Sequence, residues 1–199
     1  MRNNYEYIDV DYEYTDRQTG VLRNLANITN ADDLLFAESA AVSKRAKELM
    51  ENPIKIVNSD ALLDINKYLF QDIYEWAGKK RTVEISKCGK QFFPTSHFYN
   101  AFAFIDNLIK EYRKIDKNDI TGIADKLAEI LDAINFLHPF REGNGRTQRE
   151  FVRTLALEKG LILDLNPPND KNVYERYMQG TINGDVKLLS NLINERLNK

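Results

Sequence analysis

A chain of 199 residues, 43% of them hydrophobic, can bury roughly 70% of the surface its unfolded form exposes, which suits one compact domain over 1–199. Its 28 basic and 30 acidic residues leave a net charge of −2 without any long basic run, so no electrostatic footprint for nucleic acid is present. Cys88 is the single cysteine, which excludes an internal disulfide and a cysteine metal cluster. With no signal-peptide core and no apolar run near the ~20 residues of a membrane span, the expected setting is the cytoplasm, with no membrane partner.

Residues 1–28 have the least regular pattern, with Tyr5, Tyr7, Tyr12 and Tyr14 set among acids, and are expected to form an arm packed on the domain. Helical signals follow over Ala31–Met50 after Asn30 as cap, and over Asp60–Trp76 after Ser59. Only Lys80–Pro94 breaks the helical pattern. There Thr82-Val83-Glu84-Ile85 and Gln91-Phe92-Phe93 flank Lys87-Cys88-Gly89-Lys90, the pattern of a short hairpin with glycine in its turn. His97 precedes a helix over Asn100–Ile115 and reads as a surface or capping residue. Ile120–Leu137 then places Ile123, Leu127, Ile130, Leu131, Ile134 and Leu137 on one side of a helix, and Pro139 stops it near His138. Asn144 is the expected N-cap of the next helix, whose spacing runs through Phe151, Val152, Leu155 and Leu157 to a stop at Gly160. Helices over Val173–Gln179 and Val186–Leu197 close the chain. The expectation is an all-α domain of about seven or eight helices, at a usual ~11 residues each, with one small β-hairpin.

The turn between the two central helices concentrates the chemistry. Its second helix begins with amides that lack intrahelical partners and lie at the positive end of the dipole, so Gly143-Asn144-Gly145 can approach and bind an anion such as phosphate. Arg146 and Arg149, one helical turn apart, can present fork-like donors to the same anion, which suits a polyphosphate. Glu142 would be repelled by bare phosphate oxygens unless a hard divalent cation bridged them, so the natural ligand is a nucleotide with Mg²⁺. His138, at the edge of that cradle, is the neutral-pH base able to take a proton from an attacking hydroxyl.

From His138 to Arg149 the run resembles, at every position, the Fic family signature His-Pro-Phe-x-(Asp/Glu)-Gly-Asn-(Gly/Lys)-Arg-x-x-Arg. The likeness extends to Trp76-Ala77-Gly78, Arg81-Thr82-Val83 and Ile85-Ser86-Lys87, and covers most of the chain. It implies a protein adenylyltransferase that moves AMP from ATP to a Ser, Thr or Tyr hydroxyl of a target protein and releases pyrophosphate. In that scheme His138 is the general base and Glu142 holds Mg²⁺. Gly143, Asn144 and Gly145 form the anion hole within a nucleotide site that also includes Arg141, and Arg146 and Arg149 take the β- and γ-phosphates. Phe140 anchors the loop, and Tyr177 borders the adenine. The hairpin corresponds to the family's flap, whose Ile85, Ser86 and Lys87 would line a groove for the target segment.

Many members restrain themselves with a helix carrying Ser or Thr, then Glu four residues on, then Gly or Asn. Here Thr29, Ser39, Ser43, Thr181 and Ser190 are followed four residues later by Asp33, Ser43, Lys47, Asp185 and Asn194, none of them glutamate. The resemblance therefore implies a toxin-like subclass in which a separate small antitoxin brings the glutamate to Arg149. Transfer of another phosphate-containing group, phosphoryl or phosphocholine, and a non-catalytic nucleotide-binding module are the alternative readings. Gly143 and Gly145 argue for AMP, and the intact base and acid argue for catalysis.

Overall fold

The computed structural model describes residues 5–8, 12–87, 89–167 and 170–198; Cys88 lies outside them. Helix α1 (Ala31–Glu51) starts as expected, with the Asn30 side chain accepting from the Asp32 and Asp33 amides. Helix α2 (Ala61–Phe70) ends well short of Trp76. The reason is local: the chain turns back after Phe70, and the Gly78 amide donates to Asn66 Oδ1 at 2.8 Å, closing residues 71–78 against the helix they leave. A single 3-10 turn at Thr95–His97 leads into α3 (Phe98–Lys114). It is followed by α4 (Ile120–Leu137), α5 (Asn144–Glu158), α6 (Lys171–Asn183) and α7 (Val186–Arg196), so the described residues hold seven α-helices. Asp119, Asp170 and Asp185 cap α4, α6 and α7 through side-chain bonds to first-turn amides.

Helix α4 is the hub, packed against α3, α5 and α7. Ile123, Leu127, Ile130, Leu131, Ile134 and Leu137 are all buried, as the spacing required, and belong to one apolar cluster fed by all seven helices. Full burial of each such side chain is worth about 1.5–3 kcal/mol, so α4 is held by its neighbours and its two ends are fixed points.

The hairpin forms as β2 (Glu84–Lys87) and β3 (Lys90–Gln91), joined antiparallel. Sequence patterning missed a third strand: β1 (Tyr5–Ile8), from the arm, pairs antiparallel with β2, giving the order β1-β2-β3. Tyr5 faces Lys87, Glu6 faces Ser86, Tyr7 faces Ile85 and Ile8 faces Glu84. A lone two-stranded hairpin is marginal in water, and this one gains a third strand and a small apolar cluster of Tyr14, Val83 and Ile85. The rest of the arm is fastened separately: Leu25 N–H donates to Ile73 O at 2.9 Å, and the Tyr14 ring meets Trp76 edge-on at 5.4 Å.

Candidate active site

The end of α4 and the start of α5 meet at residues 138–143. His138 leaves the helix in the left-handed region (φ 45, ψ 61), where the following proline has excluded the ordinary helical continuation. Its ring is buried, stacks on Phe92 at a centroid distance of 3.8 Å, and puts Nδ1 3.3 Å from Asn135 O. A carbonyl can only accept, so Nδ1 carries the proton in this bond, and in the neutral ring Nε2 is the nitrogen able to accept one.

Phe140 is fully buried and its backbone is clamped by Asn144, whose Oδ1 accepts from the Phe140 amide at 3.0 Å while Nδ2 donates to its carbonyl at 2.7 Å. Asn144 is therefore the first residue of α5 with an inward side chain; the cap position belongs to Gly143, which corrects the sequence assignment. Gly143 is required on two counts. Its φ is +83, and an added Cβ would lie 2.2 Å from the Phe70 ring. Asn66, fully buried, ties the same turn to α2 by donating to Glu142 O at 3.2 Å and to the Thr147 hydroxyl at 3.1 Å.

A cavity of about 1010 Å³ opens over this turn. His138, Arg141, Glu142, Gly143, Asn144, Gly145, Arg146, Arg149 and Tyr177, all named from sequence, line it. Arg149 lies over the rings of Tyr174 and Tyr177, at 5.6 and 5.1 Å, and has no ion pair among the described residues. Tyr177 is itself 1% exposed, with its hydroxyl accepting from Gln148 Nε2 at 2.6 Å, whereas Tyr174 beside it is 38% exposed. The flap residues divide differently. Ile85 is buried beneath the sheet, so it can offer a groove only its backbone; Ser86 is half-buried, and the Lys87 side chain lies outside the described part. His97 is exposed, and its Nδ1 is 2.8 Å from the Ser96 hydroxyl.

Glu142 opens on the cavity with 31% of its side chain accessible. Oε1 accepts from the Gly143 amide at 2.7 Å and from Arg146 at 3.3 Å. Burial, and then the charge of Glu38, push its pKa up, which is the situation of a carboxylate short of positive charge. No group of three or more His, Cys, Asp or Glu able to hold a metal occurs among the described residues. A divalent cation held by one carboxylate and completed by ligand phosphates and water fits this donor set; a cation held by protein alone does not.

Three contributors were not assigned roles from sequence. Arg81, buried, joins flap to loop: Nε donates to His138 O at 2.8 Å, Nη1 to Val83 O at 2.7 Å, Nη2 to Phe93 O at 2.6 Å, and its amide to Pro139 O at 2.8 Å. Asn66 holds the glycine turn. Glu38, on α1, is 5% exposed and pairs with Arg146 Nη2 at 2.6 Å. Their partners in the turn and the start of α5 lie 57 to 108 residues away in the chain, and that separation hid them.

The model of the Fic/DOC family matches residues 56–156, and the chain belongs to that family. It is 34% identical over 185 residues to the protein adenylyltransferase VbhT of Bartonella schoenbuchensis, covering 92% of this chain and 38% of VbhT's length. It is 32% identical to the probable protein adenylyltransferase y4lH of Sinorhizobium fredii, over 86% of this chain and 88% of that protein. The crystal structure of Bartonella tribocorum BepC with bound AMPPNP shares the fold with a TM-score of 0.81 at 19% identity, covering 94% of this chain and 97% of that one. The fold is thus the mostly helical Fic fold.

Proposed function

We propose that the chain is a protein adenylyltransferase that works as one Fic domain over 1–199. In support, VbhT is a protein adenylyltransferase, y4lH a probable one, and a distantly related chain of the same fold is bound to AMPPNP. The observation that carries the reading is His138, with Nδ1 committed to Asn135 O, at the wall of a cavity that also presents Arg146, Arg149 and the glycine turn.

In the reaction, ATP lies with its β- and γ-phosphates against Arg146, Arg149 and the first-turn amides of α5. The target hydroxyl gives its proton to His138 Nε2 as its oxygen bonds to the α-phosphorus. The bond from the α-phosphorus to the bridging oxygen breaks, and pyrophosphate leaves with its charge met by the two guanidinium groups. Glu142 would hold Mg²⁺, which supplies charge neutralisation along the polyphosphate. Asn144 keeps the loop in shape, and its contribution to the anion hole comes from its backbone. Tyr177 and Tyr174 border the base and Arg141 lines the same cavity, while Ser86, Lys87 and the backbone of Ile85 meet the target.

Incubating a lysate with isotopically labelled Mg-ATP should add an AMP mass to a protein hydroxyl, and His138→Ala should reduce this at least ~10²-fold while ATP still binds. Retained transfer by the alanine chain refutes the base assignment. We propose also that restraint comes from a separate small antitoxin whose glutamate meets Arg149, which lines the cavity over Tyr174 and Tyr177 and has no ion pair among the described residues. Full activity in the presence of every small partner encoded beside the chain would refute this.

A further inference from the structure

Arg146 is gripped from the far end of the chain by a residue that no signature contains. Glu38 sits on α1, and both oxygens of its buried carboxylate are engaged: Oε1 accepts from Arg146 Nη2 at 2.6 Å, and Oε2 accepts from the Tyr74 hydroxyl. Tyr74 is fixed in turn, stacked on Trp76 at 4.2 Å, and burial raises its pKa so that it remains a neutral donor. On the guanidinium itself, Nη2 also reaches Glu142 Oε1 at 3.3 Å, and the group lies over the Phe70 ring at 4.5 Å. One nitrogen thus serves both carboxylates. Nε and Nη1 make no hydrogen bond among the described residues, and Arg146 lines the cavity.

We propose that Glu38 is a positioning residue for Arg146. It anchors one end of the guanidinium fork, Phe70 sets its plane, and the remaining N–H groups are left aimed at the polyphosphate. A planar fork held at one nitrogen and one face has little rotational freedom to lose when phosphate arrives. Electrostatics alone points the other way. Glu38 and Glu142 outnumber the one arginine between them, so a further carboxylate repels a polyphosphate. Geometry and charge therefore predict opposite signs for removing the Glu38 charge, and this makes the inference decidable. It rests on the reading of Arg146 as a phosphate contact.

The test is the affinity of the chain for a non-hydrolysable Mg-ATP analogue divided by its affinity for AMP, measured by calorimetry. AMP lacks the phosphates that Arg146 would meet, so a general loosening of the pocket lowers both affinities and leaves the ratio intact. Glu38→Gln should lower the ratio roughly fivefold to tenfold, the size of one net hydrogen bond. In an Arg146→Ala background the same change should do nothing further. Tyr74→Phe, which keeps the Glu38 charge but frees its carboxylate, should lower the ratio in the same direction and stands in if the glutamine chain folds poorly. An unchanged or raised ratio in Glu38→Gln or Tyr74→Phe overturns the inference while leaving the phosphate reading intact. If Arg146→Ala itself leaves the ratio unaltered, the phosphate reading fails and the inference falls with it.

Discussion

Asp132 shows how a single side chain on the cavity wall sets a pH response. It lies on α4 beside the cavity, and burial raises its pKa with no other contributing cause. A carboxyl whose folded-state pKa lies above its unfolded value is favoured protonated in the fold. The cost of ionising it is absent below the unfolded value and complete once pH exceeds the folded one. Asp132→Asn carries no such cost, so its melting temperature should exceed that of the wild type at pH 7, and the gap should close as pH falls toward 4. Calorimetry across that range checks it; a gap that is constant or grows on acidification contradicts the assignment. At this scale the sequence was most legible where the chemistry is contiguous. His138 to Arg149 could be read directly, because neighbours in the chain are neighbours in the site. Glu38 could not, since 108 residues separate it from Arg146 and nothing in its own helix marks it.

At the scale of elements, the hairpin and the turn from His138 to Gly143 are one unit because of Arg81. Its side chain is fully enclosed and meets carbonyls of His138, Val83 and Phe93, while the Glu84 carboxylate, 3.2 Å away, supplies a partly exposed counter-charge. Arg81→Ala would leave two buried carbonyls and one part-buried carbonyl without that donor, and should cost about 3 kcal/mol or more in stability. It should also lower AMP transfer more than it lowers ATP affinity, because the phosphate contacts proposed for this site lie on α5. Arg81→Lys should recover only part of the loss, as one ammonium cannot reach carbonyls that a planar fork spans. Denaturant unfolding and single-turnover kinetics separate the two effects. Helix positions were readable wherever a period of apolar residues ran between clear stops: α4 lies where its spacing placed it, from Ile120 to Leu137. The end of α2 was not, because Asn66 and Gly78 fold the following segment back by a tertiary contact that periodicity cannot express. Strand β1 escaped for a related reason: four residues take their conformation from a partner strand some eighty positions on.

For the molecule as a whole, the cavity draws walls from distant parts of the chain. Val21 and Leu22 of the arm, Leu34 of α1, Phe92 after the flap, His138 and Met178 of α6 all border it. A ligand that bridges them binds the folded chain and not the unfolded one. Mg-ATP at a hundred times its dissociation constant should therefore add ~2.7 kcal/mol, or about 5–11 °C in melting temperature for a domain of this size. His138→Ala should keep most of that shift, since in the proposed reaction the imidazole meets the incoming hydroxyl and not the polyphosphate. No helix among the described residues is long and apolar enough to cross a membrane. The arrangement of the small sheet carries one more consequence. With β1 on one flank of β2 and β3 on the other, the four-residue edge of the flap is already taken by the chain itself. A foreign strand can pair with β2 itself only by evicting Tyr5–Ile8, and otherwise must add to the outer edge of β1 or to the two-residue rim of β3, so recognition of a polypeptide along β2 is a contest between guest and host.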